Sequence, residues 1–331
     1  MKQRAVLIFA LLIVTLLLPL VVNRFIVNVL SLAFALAILA TSIDLAGGYS
    51  GLVPLGQAGI MACSGYSLGY AATRLGVGYL GQILFGLFIA TVVAALFGLM
   101  VMRTSGIQFL MVTLAQGMIV WGLSIRMNHI TGGENGIRGI NRPPWFDGDF
   151  SFFYFSLGLL VLALVIKWII SRSPFGLALR ALNDSEARLN MLGYSTEFVK
   201  FYSFVLAGAL AGLAGVLFAY YNRLIVPDSA GFAMSGKGVL MVLLGGIGTL
   251  IGPVLGAVIV TFIENFLSGY VARWPTILGL IFILAVLFAR QGIIRLLEST
   301  TVRATRTLIQ PVKKLIQKVY KYRGLSNQNH P

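Results

Sequence analysis

The chain is 331 residues long, 58% apolar and only 11% charged, with 25 Lys and Arg against 10 Asp and Glu. Apolar runs of about 20 residues recur, each long enough to cross a hydrocarbon core of roughly 30 Å, which excludes an ordinary soluble domain. The net charge of +15 would suggest nucleic acid in a soluble protein; here the basic residues lie in loops and a C-terminal tail, where anionic headgroups and the positive-inside rule account for them. The lone Cys63 lies in an apolar segment and forms no internal disulfide.

Lys2 and Arg4 open the chain, which then runs apolar to Val22. The run exceeds the h-region of a secretory signal and no small-residue cleavage site follows, which favours a retained first span with its N-terminus inside. Phe25–Ile43 is the second span, ended by Asp44. In the following LAGGYSGLVPLGQAGI, Pro54 and the glycines between Gly47 and Gly59 speak against a regular helix, because Gly has poor helix propensity and Pro lacks a backbone donor. Irregular backbone at membrane depth survives only where protein buries it or where it lines a cavity. Leu55–Thr73, Gly78–Met102 and Ile107–Arg126 are spans three to five. A turn-rich polar loop fills Met127–Phe150, with Gly132, Gly133, Gly136, Pro143 and Pro144, and Phe152–Ile170 is span six.

Ser171–Lys200 is the one long polar stretch deep between apolar runs, mixing Arg172, Arg180, Arg188 and Lys200 with Asp184, Glu186 and Glu197. Phe198–Tyr221 is span seven and Asn222–Gly236 a second outer loop. Lys237–Gly246 is a short apolar segment interrupted by GGIGTLIGP, Val254–Phe266 continues as another span, and Pro275–Phe288 is the last. The pattern predicts an all-α polytopic membrane protein of about ten transmembrane helices. Residues 1–290 form the membrane domain and 291–331 a cytoplasmic tail, in which apolar and basic residues alternate over Arg290–Arg323. The tail reads as an amphipathic segment on anionic lipid, with a docking arm for a partner as the alternative. An inside N-terminus puts Arg103, the Ser171–Lys200 loop and the tail in the cytoplasm, where most of the basic residues then fall.

Five spans starting inside and five starting outside make two halves of inverted topology. Each half carries a Gly- and Pro-interrupted segment, Gly47–Gly59 and Gly245–Gly256, and paired broken segments in corresponding places point to a pathway at the midplane. Candidate pathway residues are Asp44, Gly47, Gly48, Tyr49, Gly51 and Gln57 in the first half, and Gly245, Gly246, Gly248 and Glu264 in the second. The alternative for such glycines is close helix packing, which fits the Gly65/Gly69, Gly208/Gly212 and Gly252/Gly256 pairs. A carboxylate inside a membrane is costly and faces a partner or water. For Glu264 a relay stands against pairing with Arg273 or headgroups; for Asp44 both readings stay open.

Several patterns look like chemistry without its context. Gly231–Gly238 approaches a phosphate-binding loop but has Gly238 where Ser or Thr must hold magnesium, and no strand precedes it. Gly76, Gly78 and Gly81 spell G-x-G-x-x-G between two spans, which is a turn. His129 and His330 lie far apart, and no metal cluster or catalytic constellation assembles.

SPFGLALRALNDSEARLNMLGY resembles the cytoplasmic loop of branched-chain amino-acid ABC transporter permeases, the M-type subunit. GYSGLVPLGQAGI, TGGENGI, KFYSFVLAGALAGLAGVLFAYY and VLLGGIGTLIGPVLGA match in the same order, so the resemblance covers nearly the whole chain. Urea and short-amide permeases share the pattern. Asp44 and Ile60 stand where the family often has Asn and Phe, which leaves the substrate open, though GTLIGPVLGA looks more like the amino-acid branch.

The resemblance implies a multi-pass bacterial inner-membrane protein with both termini cytoplasmic, an importer subunit and not an enzyme. A paralogous permease would complete the pathway, and a periplasmic binding protein would deliver substrate near Thr131, Gly132, Gly133 and Glu134. Two cytoplasmic ATPases would supply ATP and magnesium chemistry in trans; no cofactor is expected in this chain. Their docking element would be Ala178–Leu189, read as a short helix with Leu179, Leu182 and Leu189 near one side, and the coupling residues would be Pro174, Gly176, Arg180, Ala181, Asp184, Glu186, Arg188 and Gly193. The alternative held beside it is an ion-coupled secondary transporter of a small polar solute, with Asp44 or Glu264 as proton carrier.

Overall fold

The computed structural model describes residues 18–20, 22–270, 276–277, 279–281 and 283. Nearly all of the first expected span, most of the last, Arg273 and the tail lie outside the described residues. In chain order the helices are α1 (Arg24–Ser50), α2 (Gln57–Thr73), α3 (Tyr79–Val101), α4 (Gly106–Arg126), the single turn α5 (Asn128–Thr131), α6 (Asp149–Arg172), α7 (Pro174–Asp184), α8 (Glu186–Met191), α9 (Thr196–Asn222), α10 (Phe232–Gly245) and α11 (Gly252–Tyr270). Six of these, α1, α3, α4, α6, α9 and α11, are long and apolar enough to cross a membrane. The protein is helical and polytopic.

α1 is apolar on every side, the pattern of a helix surrounded by protein. Almost all of it from Val27 to Ser50 is buried, packed against α9, α11, α6 and α10. α9 comes equally close to α3 because small residues meet: Gly208 and Gly212 lie against Ala94 and Ala90, both fully buried. Ser64 Oγ of α2 donates to the Gly212 carbonyl at 2.8 Å.

At the end away from α7 and α8, a two-residue antiparallel ladder joins β1 (Ile137–Arg138) to β2 (Leu224–Ile225) and ties the two outer loops together. Arg142 completes that end. Its guanidinium donates to the carbonyls of Tyr220 (2.9 Å) and Tyr221 (3.1 Å), caps α9, and lies over the Phe152 ring at the start of α6. Burial first, and the nearby Arg223 next, lower its pKa.

Two expectations change. First, α1 does not stop at Asp44; it stays helical through Gly47 and Gly48 to Ser50, and the irregular stretch is only Gly51–Gly56. Packing on all sides overrides the weak propensity of the glycines, worth about 1 kcal/mol each. Second, the docking element is not one helix. Ser185 is extended, its hydroxyl accepts from the Arg188 amide, and it starts α8 as an N-cap. The two interrupted segments lie between α1 and α2 and between α10 and α11. Also, α10 spans the phosphate-loop lookalike from Phe232 onward, which leaves no loop there to cradle a phosphate.

Candidate functional site: a clasped turn, an open cavity and an exposed tip

α10 has 14 residues, about 21 Å at 1.5 Å per residue, and so falls short of a hydrocarbon core. It ends in the turn Gly246–Ile251, which sits at the depth of Asp44. Gly246 (φ 113°) and Gly248 (φ 73°) adopt left-handed backbone that other residues avoid. Thr249 braces the turn from within, donating to the Gly246 carbonyl (2.8 Å) and accepting from the Gly252 amide (3.1 Å) that opens α11.

Two helices grip this turn through an ion pair. Asp44 Oδ1 on α1 accepts from the Gly248 amide at 2.7 Å, and Asp44 Oδ2 meets Lys167 Nζ on α6 at 2.6 Å. Lys167 Nζ also donates to the Thr249 carbonyl at 2.9 Å. Both side chains are 0% exposed. The two glycine segments thus meet directly: a Cβ on Gly48 would lie 2.6 Å from the Gly248 nitrogen and collide with the Asp44 carboxylate.

The same helices reach α7. Tyr49 lies between Lys167 and Arg180, whose charged atoms stand 6.0 and 5.5 Å from its ring centre. Gly51, with φ 75°, closes α1 on the Gly47 carbonyl and abuts the Asn183 side chain of α7. Gly176 is buried against α6, where a Cβ would press on the backbone at Ile170 and Ser171. Pro174 opens α7 at its first turn behind the Ser173 cap. Leu179, Leu182 and Leu189 are buried; Ala181 is half-buried.

The docking residues expected from the sequence divide. Arg180 donates to the Ser171 carbonyl (3.3 Å) and Glu186 pairs with Lys200 at 2.6 Å, so both are engaged within the chain. Asp184 and Arg188 are exposed, and Gly193 turns the chain with φ 85°. The tip also shows an apolar surface that sequence reasoning did not single out: Leu177, Met191 (83% exposed), Leu192 (73%) and Tyr194.

A separate cavity of about 630 Å³ lies along α10. Val53, Leu55, Leu110, Phe232, Val239 and Leu240 give it apolar walls; Asp228, Lys237 and Glu264 give it charge. Lys237 Nζ bridges both Glu264 oxygens at 3.0 and 2.9 Å, and both side chains remain partly accessible. Glu264 therefore has a partner other than the one expected, since Arg273 lies outside the described residues. Gln57 begins α2 fully buried, its amide oxygen and nitrogen both without a hydrogen bond. Gly245 ends α10 against the Gly252 backbone. At the opposite end Thr131 is buried, donating to the Ser124 and Met127 carbonyls, and Gly133 is buried, while Gly132 and Glu134 are exposed.

Lys167 is the main residue that sequence reasoning missed. Its signal was present: a lysine within the apolar run of span six must find a partner inside the protein. Lys237 carried the same signal, weakened by its place near a loop.

Residues 25–290 match the family described as the branched-chain amino acid transport system permease component. The chain is 29% identical over 320 residues to the high-affinity branched-chain amino acid transport system permease protein LivM of Escherichia coli, covering 88% of this chain and 75% of that protein. LivM of Salmonella typhimurium is matched to the same extent. The autoinducer 2 import system permease protein LsrC of Salmonella paratyphi B is 37% identical over 114 residues, a third of each chain.

Proposed function

Because the chain belongs to the permease-component family of branched-chain amino-acid transport systems, we propose that this ABC importer subunit carries aliphatic amino acids along the α10 cavity. It is a membrane transport component and not an enzyme. The observation that carries the substrate reading is the cavity: apolar walls suit an aliphatic side chain, and Lys237 with Glu264 and Asp228 offers both signs of charge to a carboxylate and an ammonium. The ion-coupled alternative loses Asp44 as a carrier, since both its oxygens are occupied and sealed from solvent; Glu264, partly accessible and paired with Lys237, is the carrier left to it.

The remaining assignments follow from the same reading. Helices α1 to α4, α6 and α9 to α11 coincide with expected spans two to nine and support ten spans in two inverted halves, termini cytoplasmic, in the bacterial inner membrane. The family match ends at residue 290, which supports a permease domain over 1–290 and a separate lipid-facing tail. A second permease, a paralogue, completes the pathway. The exposed end with Gly132 and Glu134 receives the periplasmic binding protein.

Of the two ATPases, one docks on the tip of α7–α8, where Leu177, Met191, Leu192 and Tyr194 expose apolar surface beside Arg188 and Asp184, and the other on the partner permease. Buried leucines anchor the other face of this tip to the membrane helices. The test is a pull-down of the tagged chain from its native membrane with an ATPase assay on the recovered material. Met191→Asp with Leu192→Asp is expected to abolish ATPase recovery while leaving the melting temperature unchanged. Full recovery of ATPases with that variant sinks the docking assignment, and recovery of the wild-type chain alone sinks the assembly.

A further inference from the structure

A buried ion pair recovers little of its desolvation cost, and an apolar pair of similar volume would fill the same space more cheaply. What Asp44 and Lys167 add is a hold on backbone. Their charges satisfy the Gly248 amide and the Thr249 carbonyl, groups that would otherwise be unpaired in an irregular turn at membrane depth. That hold joins three elements, α1, α6 and the turn, through polar contacts across a glycine-to-glycine seam.

Its placement gives it a role in transport. Lys167 stands five residues before the end of α6 and Asp44 six before the end of α1, about 7.5–9 Å from the point where each helix meets α7. Tyr49 and Gly51 fill that interval and touch Arg180 and Asn183. On the other side, the gripped turn is the continuation of α10, which carries Lys237, Val239 and Leu240 on the cavity wall. We propose that the Asp44–Lys167 pair is a positioning link that hands displacement of α7 to α10. While α1 and α6 keep their register, the turn is held and the cavity wall is fixed. When α7 shifts the two helices, the turn loses its donor and its acceptor together, and α10 moves. A two-arrangement element of this kind is what carries coupling between distant sites.

The proposal rests on the importer reading, so its test uses the complete importer in liposomes, with ATP hydrolysis and uptake of labelled leucine measured together. ATP-driven uptake by the wild type checks the importer reading by itself. Asp44→Asn with Lys167→Met leaves no charge unpaired but removes the donor to Thr249. At unchanged assembly, leucine moved per ATP is expected to fall roughly tenfold, within the usual range of coupling energies; an unchanged ratio overturns the proposal. A second arm keeps the pair intact. Ile43 and Ile247 line one narrow space between α1 and the turn. Cysteines at both positions, on a Cys63→Ser background, are bridged by a short reducible thiol crosslinker. Bridging is expected to stop uptake and reduction to restore it, whereas uptake at the unbridged rate overturns the link. Should the double variant fail to assemble, the bridge alone decides.

Discussion

Two of the ion pairs among the described residues join membrane helices or their ends, Asp44–Lys167 and Lys237–Glu264, and they differ in one respect that decides their roles. Asp44–Lys167 is sealed, with neither side chain exposed. Lys237–Glu264 is 17% and 18% exposed and borders the cavity. The sealed pair spends its hydrogen-bonding capacity on a turn's backbone. The open pair bonds mainly to itself, and its members remain available to a molecule entering the cavity. Position inside a membrane therefore marks a charge as consequential without saying how; the atoms that each charge touches distinguish a positioning link from a binding surface.

The largest expected effect comes from breaking the sealed pair on one side. Lys167→Met leaves the Asp44 carboxylate buried without its counter-charge, and removal of one partner from such a pair costs roughly 3–5 kcal/mol. Thermal unfolding of the purified chain in detergent is expected to show this loss, and Asp44→Asn with Lys167→Met is expected to recover most of it. A single variant as stable as the wild type would mean that water reaches the pair, and the contrast with Lys237–Glu264 would collapse.

Next in size is the seam that the sealed pair holds shut. Gly48→Ala puts a methyl 2.6 Å from the Gly248 nitrogen and 2.8 Å from its Cα, backbone atoms that yield only if the turn moves. Overpacking of this sort costs about 1–3 kcal/mol. Gly236→Ala is the control on the cavity side, where an added Cβ meets nothing within 4 Å. There helix propensity should stabilise α10 by about 0.5–1 kcal/mol. Equal melting temperatures for the two variants would show that the seam has room to spare.

The long apolar spans, the polar stretch between α6 and α9 and the two glycine-rich segments were legible in the sequence, because hydropathy and turn chemistry are local properties. Reading the two glycine segments as walls of a pathway did not reveal that they abut each other, nor their geometry. Gly47 and Gly48 look like helix breakers in isolation and are helical only because α6, α9, α10 and α11 surround α1. Lys167 belongs to Asp44, a partner 123 positions away, and no periodicity encodes that separation. Glu186 and Arg180 looked like surface charges for a partner; their bonds to Lys200 and Ser171 depend on how α7 and α8 fold back on the membrane helices. Ser185, a serine ahead of a short helical run, carried a local capping signal that the one-helix reading of Ala178–Leu189 passed over.

The smallest expected effect separates the pairs by screening. Removing the cavity pair with Lys237→Met should cost roughly 1 kcal/mol, between the values for exposed and sealed pairs. Because mobile ions reach the cavity, that deficit should shrink as ionic strength rises from about 0.05 to 0.5 M, where the screening length falls to a few ångströms. The deficit of Lys167→Met should not change, since no ion of either sign reaches a pair enclosed by α1, α6 and the turn. Melting curves of the wild type and the two variants at both salt concentrations measure this. A Lys167→Met deficit that falls with salt would place solvent ions beside Asp44, and with them the means to open the link without any movement of α7.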